Sequence, residues 1–178
     1  KPILRDPHLF SRADNLVMEA TYGDRQHEDL SRCVDKLARV INETASRGGK
    51  VIMPAFAINR TQELMFYLGQ LVKSKKIEAI PLYVDSPMAI DVADIFHLYP
   101  EDFDGESKKI LESERSIFQY PQLHMTRTPE ESKAINLQTG PAIILAGSGM
   151  CSGGRIKHHL FHQLPRTENT LLFTGFQA

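Results

Sequence analysis

The segment richest in reactive and ligand-binding groups is Gly147-Ser148-Gly149-Met150-Cys151-Ser152-Gly153-Gly154-Arg155. Glycines let a backbone turn tightly and present its N–H groups, while Ser148, Ser152 and Arg155 add donors suited to a phosphate. The run is close to a dinucleotide fingerprint, but its third glycine falls one position late for GxGxxG. It also lacks the lysine of a Walker loop. A plain tight turn therefore stands beside an anion site as a reading. Two other segments carry similar groups. In Ala55 to Arg60 the guanidinium of Arg60 can clamp a phosphate in bidentate fashion, and in Asp85 to Met88 the hydroxyl of Ser86 can donate.

Other reactive residues are less specific. His158 and His162 stand one helical turn apart, with His159 beside them. The HExxH glutamate is missing and no Asp/Cys pair stands nearby, so a solvated helix face is expected and no metal ligand is assigned. His8, His27, His97 and His124 are isolated and read as surface or core residues. Glu19 closes a short apolar segment, where an ordinary carboxylate at a strand end is the plain reading. Cys33 and Cys151 belong to no CxxC pair and read as two reduced thiols.

These groups need elements to position them. Asn15 to Ala20 reads as a short strand ending at Glu19, followed by a turn. From Leu30 to Arg47 the residues Val34, Leu37, Ala38, Ile41 and Ala45 recur at helical spacing, and Gly48-Gly49 supplies the stop. Lys50 to Pro54, Ile80 to Val84, Leu123 to Thr126, Ala142 to Ala146 and Thr170 to Phe176 read as strands. Helices fall between them: one opened by Asn59 or Thr61, one capped by Ser86 with Pro87 at its first position, one over Ser107 to Phe118, and one behind the capping box Thr128-Pro129-Glu130-Glu131. The last runs to about Leu164. Strands alternating with helices predict an α/β fold with a mostly parallel sheet covered on both faces. In such a sheet ligands bind beyond the carboxyl ends of the strands, where the three donor-bearing turns would meet.

Composition bounds the partners. The 178 residues are 42% hydrophobic and 24% charged, with a net charge of −1. That composition supports a packed core and gives no global attraction to nucleic acid, so RNA contact would need a local donor-rich surface. No apolar run is long enough to span a membrane, and no signal peptide opens the chain. A cytoplasmic location is expected. The chain starts at Lys1 and stops at Ala178 just after a strand, and both ends read as cut.

Taken in order, the segments resemble the β-CASP family of metallo-β-lactamase-fold nucleases, closest to its bacterial endonuclease branch. Met18-Glu19-Ala20-Thr21-Tyr22-Gly23-Asp24-Arg25 resembles the family's "E-S/A-T-Y-G-D/N-R" segment, whose glutamate is motif A. Pro54 to Leu64 resembles "PAFA-x-x-R-x-Q-E-L", and Asp85 to Ala89 resembles "D-S-P-M/L-A". Gly147 to Arg155 resembles "A-S/G-S/P-G-M-x-x-G-G-R", and Thr174 to Ala178 resembles "x-G-Y/F-Q-A".

The resemblance implies a Rossmann-like β-CASP domain over residues 28–178. Residues 1–27 would be a remnant of the metallo-β-lactamase domain, carrying its short strand. It implies a parent ribonuclease that hydrolyses RNA phosphodiester bonds with two zinc ions, the metallo-β-lactamase domain in cis, and a possible homodimer. The HxHxDH motif is absent from this sequence, as are the later histidines of motifs B and C. The fragment is therefore expected to bind no zinc and to be inactive alone. Glu19 would be the surviving catalytic residue, orienting a metal-binding histidine. Arg60, Ser86, Ser148, Arg155 and the amides of Gly149 and Gly153 would hold single-stranded RNA. A non-catalytic RNA-processing scaffold and a free-standing nucleotide-binding α/β module are the alternatives.

Overall fold

A computed structural model describes residues 2–177. Helix α1 (Leu30–Ser46) starts where the Asp29 side chain accepts from the Ser31 amide, and the chain leaves it through Gly48 at a φ of 75°. Strand β1 (Lys50–Pro54) leads into α2 (Arg60–Lys73), and β2 (Leu82–Asp85) leads into α3 (Pro87–Leu98). The Ser86 hydroxyl caps α3 through the Ala89 amide, with Pro87 in the first turn, where its missing N–H leaves nothing unsatisfied. Helix α4 (Gly105–Ser113), strand β3 (Leu123–Met125) and helix α5 (Pro129–Leu137) follow. The expected capping box of Thr128 and Glu131 forms at the start of α5. Strand β4 (Ala142–Ala146), helix α6 (Ile156–Gln163) and strand β5 (Thr170–Leu171) complete the order.

The five strands form one parallel sheet in the order β3-β2-β4-β1-β5. The α/β expectation holds. Because β1 and β4 are buried along their whole length, both read as unbroken apolar runs. Their side chains alternate between two cores. Val51, Met53, Ile143 and Leu145 face α1, α2 and α3, packing with Leu37, Ile41, Leu64, Leu68 and Ile90. Ile52, Ile144 and Ala146 face the other way, against Ile135 of α5 and Ile156 of α6. The helices that follow β1 and β2 thus cover one face, and those that follow β3 and β4 cover the other. Right-handed crossovers require this when the chain first runs outward from β1 and then returns.

Four boundaries differ from the sequence reading. Residues 15–20 form no strand: they are exposed, and Val17 reaches 98% exposure. A strand needs a neighbour for its backbone groups, and nothing in the described chain pairs with this one. The expected strand from Thr170 to Phe176 pairs only over Thr170–Leu171, with one more bond from the Leu172 amide to the Ile52 carbonyl. Helix α4 ends at Ser113, short of Phe118, and β2 begins at Leu82 because Pro81 cannot donate to the ladder. At the start of the chain, Ile3 is buried against the α/β body, and Leu4 bridges Phe103.

Candidate functional site at the carboxyl edge of the sheet

Strand β4 lies between β1 and β2, yet its helix leaves to the face opposite theirs. The chain therefore splays apart at the carboxyl end of β4, the place where open α/β sheets bind ligands. Gly147 stands there. A Cβ on Gly147 would lie 3.8 Å from the Ala55 carbonyl and 3.9 Å from the Ser86 hydroxyl, so the three predicted turns do converge. Gly149 lies flat against Phe56, whose ring would be 2.6 Å from an added Cβ. Gly154 sits at a φ of 74°, and a side chain there would run into the Gly147 carbonyl at 2.4 Å. The turn is built for close backbone approach, and glycine is required at both places.

The candidate binding residues occupy different settings. Ser148 and Ser152 bring their hydroxyls within 3.4 Å of each other on the glycine-rich turn. Gly153 N–H donates back to the Ser148 hydroxyl at 3.3 Å, whereas Gly149 N–H has no acceptor among the described residues. Arg60 opens α2 and pairs with the nearly buried Glu63 at 2.9 Å while leaving part of its side chain in solvent. Asn59, at a φ of 69°, donates its side-chain amide to the same Glu63 carboxylate. Gln62 is fully buried and bridges the first two turns, donating to the carbonyls of Ala57 and Ala89. At the far end of the chain, Gln177 donates to the Gly149 carbonyl at 2.8 Å. Phe176 meets the edge of Tyr22, with ring centroids 5.9 Å apart, so the Thr21-Tyr22-Gly23 turn also reaches this edge. Glu19 is exposed, and its carboxylate accepts from the Thr21 amide, which holds its pKa below the ordinary glutamate value.

Arg155 departs from its expected setting. Its guanidinium is committed to the interior: one nitrogen donates to Asp85 at 2.7 Å and to the Thr126 carbonyl, the other to the Arg127 carbonyl. Asp85 has no exposed surface and accepts four hydrogen bonds, from Thr126, Ser132, Arg155 and His159. Burial alone would raise its pKa, but these four donors outweigh it and bring the carboxyl down to about 2. His159 is likewise fully buried, 2.7 Å from Asp85, so only His158 and His162 lie on the solvated helix face expected for all three histidines. Asp85 and His159 went unassigned in the sequence. Their signals were present: an aspartate ending a buried strand, and a histidine on the same inward stripe as Ile156 and Gln163.

Among the described residues, no group of three or more His, Cys, Asp or Glu side chains could hold a metal ion. Cys33 and Cys151 are free thiols. The side chains present do not fit a zinc site.

Against known families, residues 61–178 match the β-CASP domain. The chain belongs to the β-CASP family. It is 38% identical over 177 residues to Ribonuclease TTHA0252 of Thermus thermophilus, an alignment covering 99% of this chain and 41% of that protein. It is 35% identical to the transcription termination factor FttA of a Lokiarchaeum species, over 95% of this chain and 27% of that one. Endoribonuclease ysh1 of Schizosaccharomyces pombe is 32% identical, over 94% of this chain and 22% of its own length. This β-CASP chain thus spans less than half the length of these relatives. No helix among the described residues is long and apolar enough to cross a membrane.

Proposed function

We propose that this chain forms the RNA-holding wall of a zinc-dependent ribonuclease, with the carboxyl edge of its sheet gripping the backbone of single-stranded RNA. The observation that carries the reading is the convergence of the 55–60, 85–88 and 147–155 turns around the end of β4. Ser148 and Ser152 offer hydroxyl donors, Gly149 offers an unpaired N–H, and Arg60 keeps an exposed guanidinium at the start of α2. Such donors bind a phosphate without reading base identity. Relatives named as ribonucleases support RNA as the substrate class. Arg155 acts indirectly here, by fixing the turn that precedes it.

Zinc would be held by residues of the full-length protein other than those described, since these make no ligand set. Glu19, close in sequence to a Tyr22 that contacts the same edge, is the catalytic carboxylate of this reading, orienting a ligand from the missing metallo-β-lactamase domain in cis. The fragment alone is inactive, and the location is cytoplasmic.

The experiment is cleavage of a single-stranded RNA by the full-length protein, with zinc and with a chelator. Chelator-sensitive cleavage that Glu19→Gln abolishes, with RNA binding intact, is the expected result. A full-length protein that binds no zinc and cleaves no RNA overturns the reading.

A further inference from the structure

The buried cluster behind the glycine-rich turn contains more than a salt bridge. Its hydrogen bonds run as a relay whose direction is fixed at one end. The Lys50 backbone N–H, which can only donate, meets the Asn169 side-chain oxygen at 2.7 Å. The Asn169 amide nitrogen must then point the other way, and it donates to the Gln163 side-chain oxygen at 3.1 Å. That orients Gln163, whose nitrogen donates to the Asn136 side-chain oxygen at 3.2 Å. The same Asn136 oxygen lies 3.0 Å from His159 Nδ1, so Nδ1 must carry a hydrogen. On the other side of the ring, Nε2 lies 2.7 Å from Asp85 Oδ2. Asp85 accepts from three further donors, one of them a guanidinium, and is held as a carboxylate. Nε2 must donate as well.

We infer that His159 carries a hydrogen on both ring nitrogens, and that the buried cluster of Asp85, Arg155 and His159 thereby holds one positive charge in excess beneath the glycine-rich turn. Glu131, which also interacts with Arg155, lies in solvent at the start of α5, where water screens it. A buried imidazolium without its own counter-charge is unfavourable, and an anion seated on the turn is what relieves it. Asp85 and His159 are therefore positioning residues: they aim Arg155 and the turn, and their surplus charge favours a phosphate there. The inference rests on the proposed phosphate-binding role of the turn and supplies its buried electrostatic source.

The test uses the full-length protein. Long-range ¹⁵N–¹H spectra of histidine-labelled protein should show both His159 nitrogens protonated at neutral pH, with the signal assigned by its loss in His159→Gln. A bare nitrogen overturns the inference. Binding of a short single-stranded RNA should weaken about tenfold, the effect of one charge in a medium of reduced dielectric, in His159→Gln. It should weaken by a similar factor in Asn136→Asp, which keeps the shape and the doubly donating ring but cancels the surplus charge. A purely structural cluster predicts no change in Asn136→Asp. If Ser148→Ala weakens binding while both charge variants bind normally, the phosphate site stands and this inference falls. If Ser148→Ala and both charge variants leave binding unchanged, the proposed RNA site falls with it.

Discussion

Replacing Asp85 by Asn tests whether the cluster under the turn is held by charge. The substitution keeps the size of the side chain but removes the only carboxylate that Arg155 and His159 share. It also places an NH₂ where two donors now point, so at least two of the four hydrogen bonds are lost. Leaving one partner of a buried ion pair unmatched costs about 3–5 kcal/mol. For a chain of this length each kcal/mol moves the melting temperature by roughly 2–4 °C, so a fall of about 6–20 °C is expected. The pH dependence supplies an internal check. The Asp85 carboxyl sits near a pKa of about 2 in the fold against 3.8 for an unperturbed aspartate. A depressed folded pKa stabilises the fold fully above the unfolded value, and that stabilisation disappears as pH falls through the folded one. The difference between the parent and Asp85→Asn, followed by thermal or urea unfolding, should be constant at neutral pH and shrink between about pH 4 and pH 2. A difference below about 1 kcal/mol at pH 7, the range of an ordinary surface substitution, would refute the reasoning, as would one unchanged across that window.

Arg60→Ala should weaken RNA binding by about 1–3 kcal/mol in the full-length protein, the range of a charged hydrogen bond, and unchanged affinity at moderate salt would remove Arg60 from the site. Gly154→Ala should destabilise the turn by roughly 1–3 kcal/mol or more, since the added methyl meets the Gly147 carbonyl at a positive φ; chemical denaturation reads this directly. Gln177→Ala should leave the fold's stability nearly unchanged and loosen the glycine-rich turn, because it removes one bond to Gly149 at the edge of the domain; faster hydrogen exchange of the turn amides would be the sign.

Features that depend on near neighbours in the chain were readable in advance. Ser86-Pro87 and Thr128-Pro129-Glu130-Glu131 cap their helices as written, because a cap is closed within four residues. The three donor turns could be placed on one edge because parallel strands separated by helices all point the same way. Pairing partners were not readable. The apolar run at residues 15–20 has the pattern of a strand but no neighbour to bond, and the stretch after Leu171 leaves β1 once that short strand has run past Ile52. The Asp85–His159 contact spans 74 positions, and neither residue has a local motif that announces the other. The functions first assigned to Arg155 and His159 followed their local sequence, and the fold redirected both inward.

The place of β4 has a consequence for how this domain reaches its native state. Strands β1 and β2 make no ladder with each other; both are bonded to β4, which comes later in the chain. Until Ala142–Ala146 leaves the ribosome, the two earlier strands have no sheet to share, and Ile52 lacks the cover of Ile144, Ile135 and Ile156. The nascent chain therefore waits through most of its synthesis with apolar strand edges unpaired, a state prone to association with other chains. Insertion of the central strand between two waiting neighbours becomes the event that commits the domain to fold, and such long-range closure is slow.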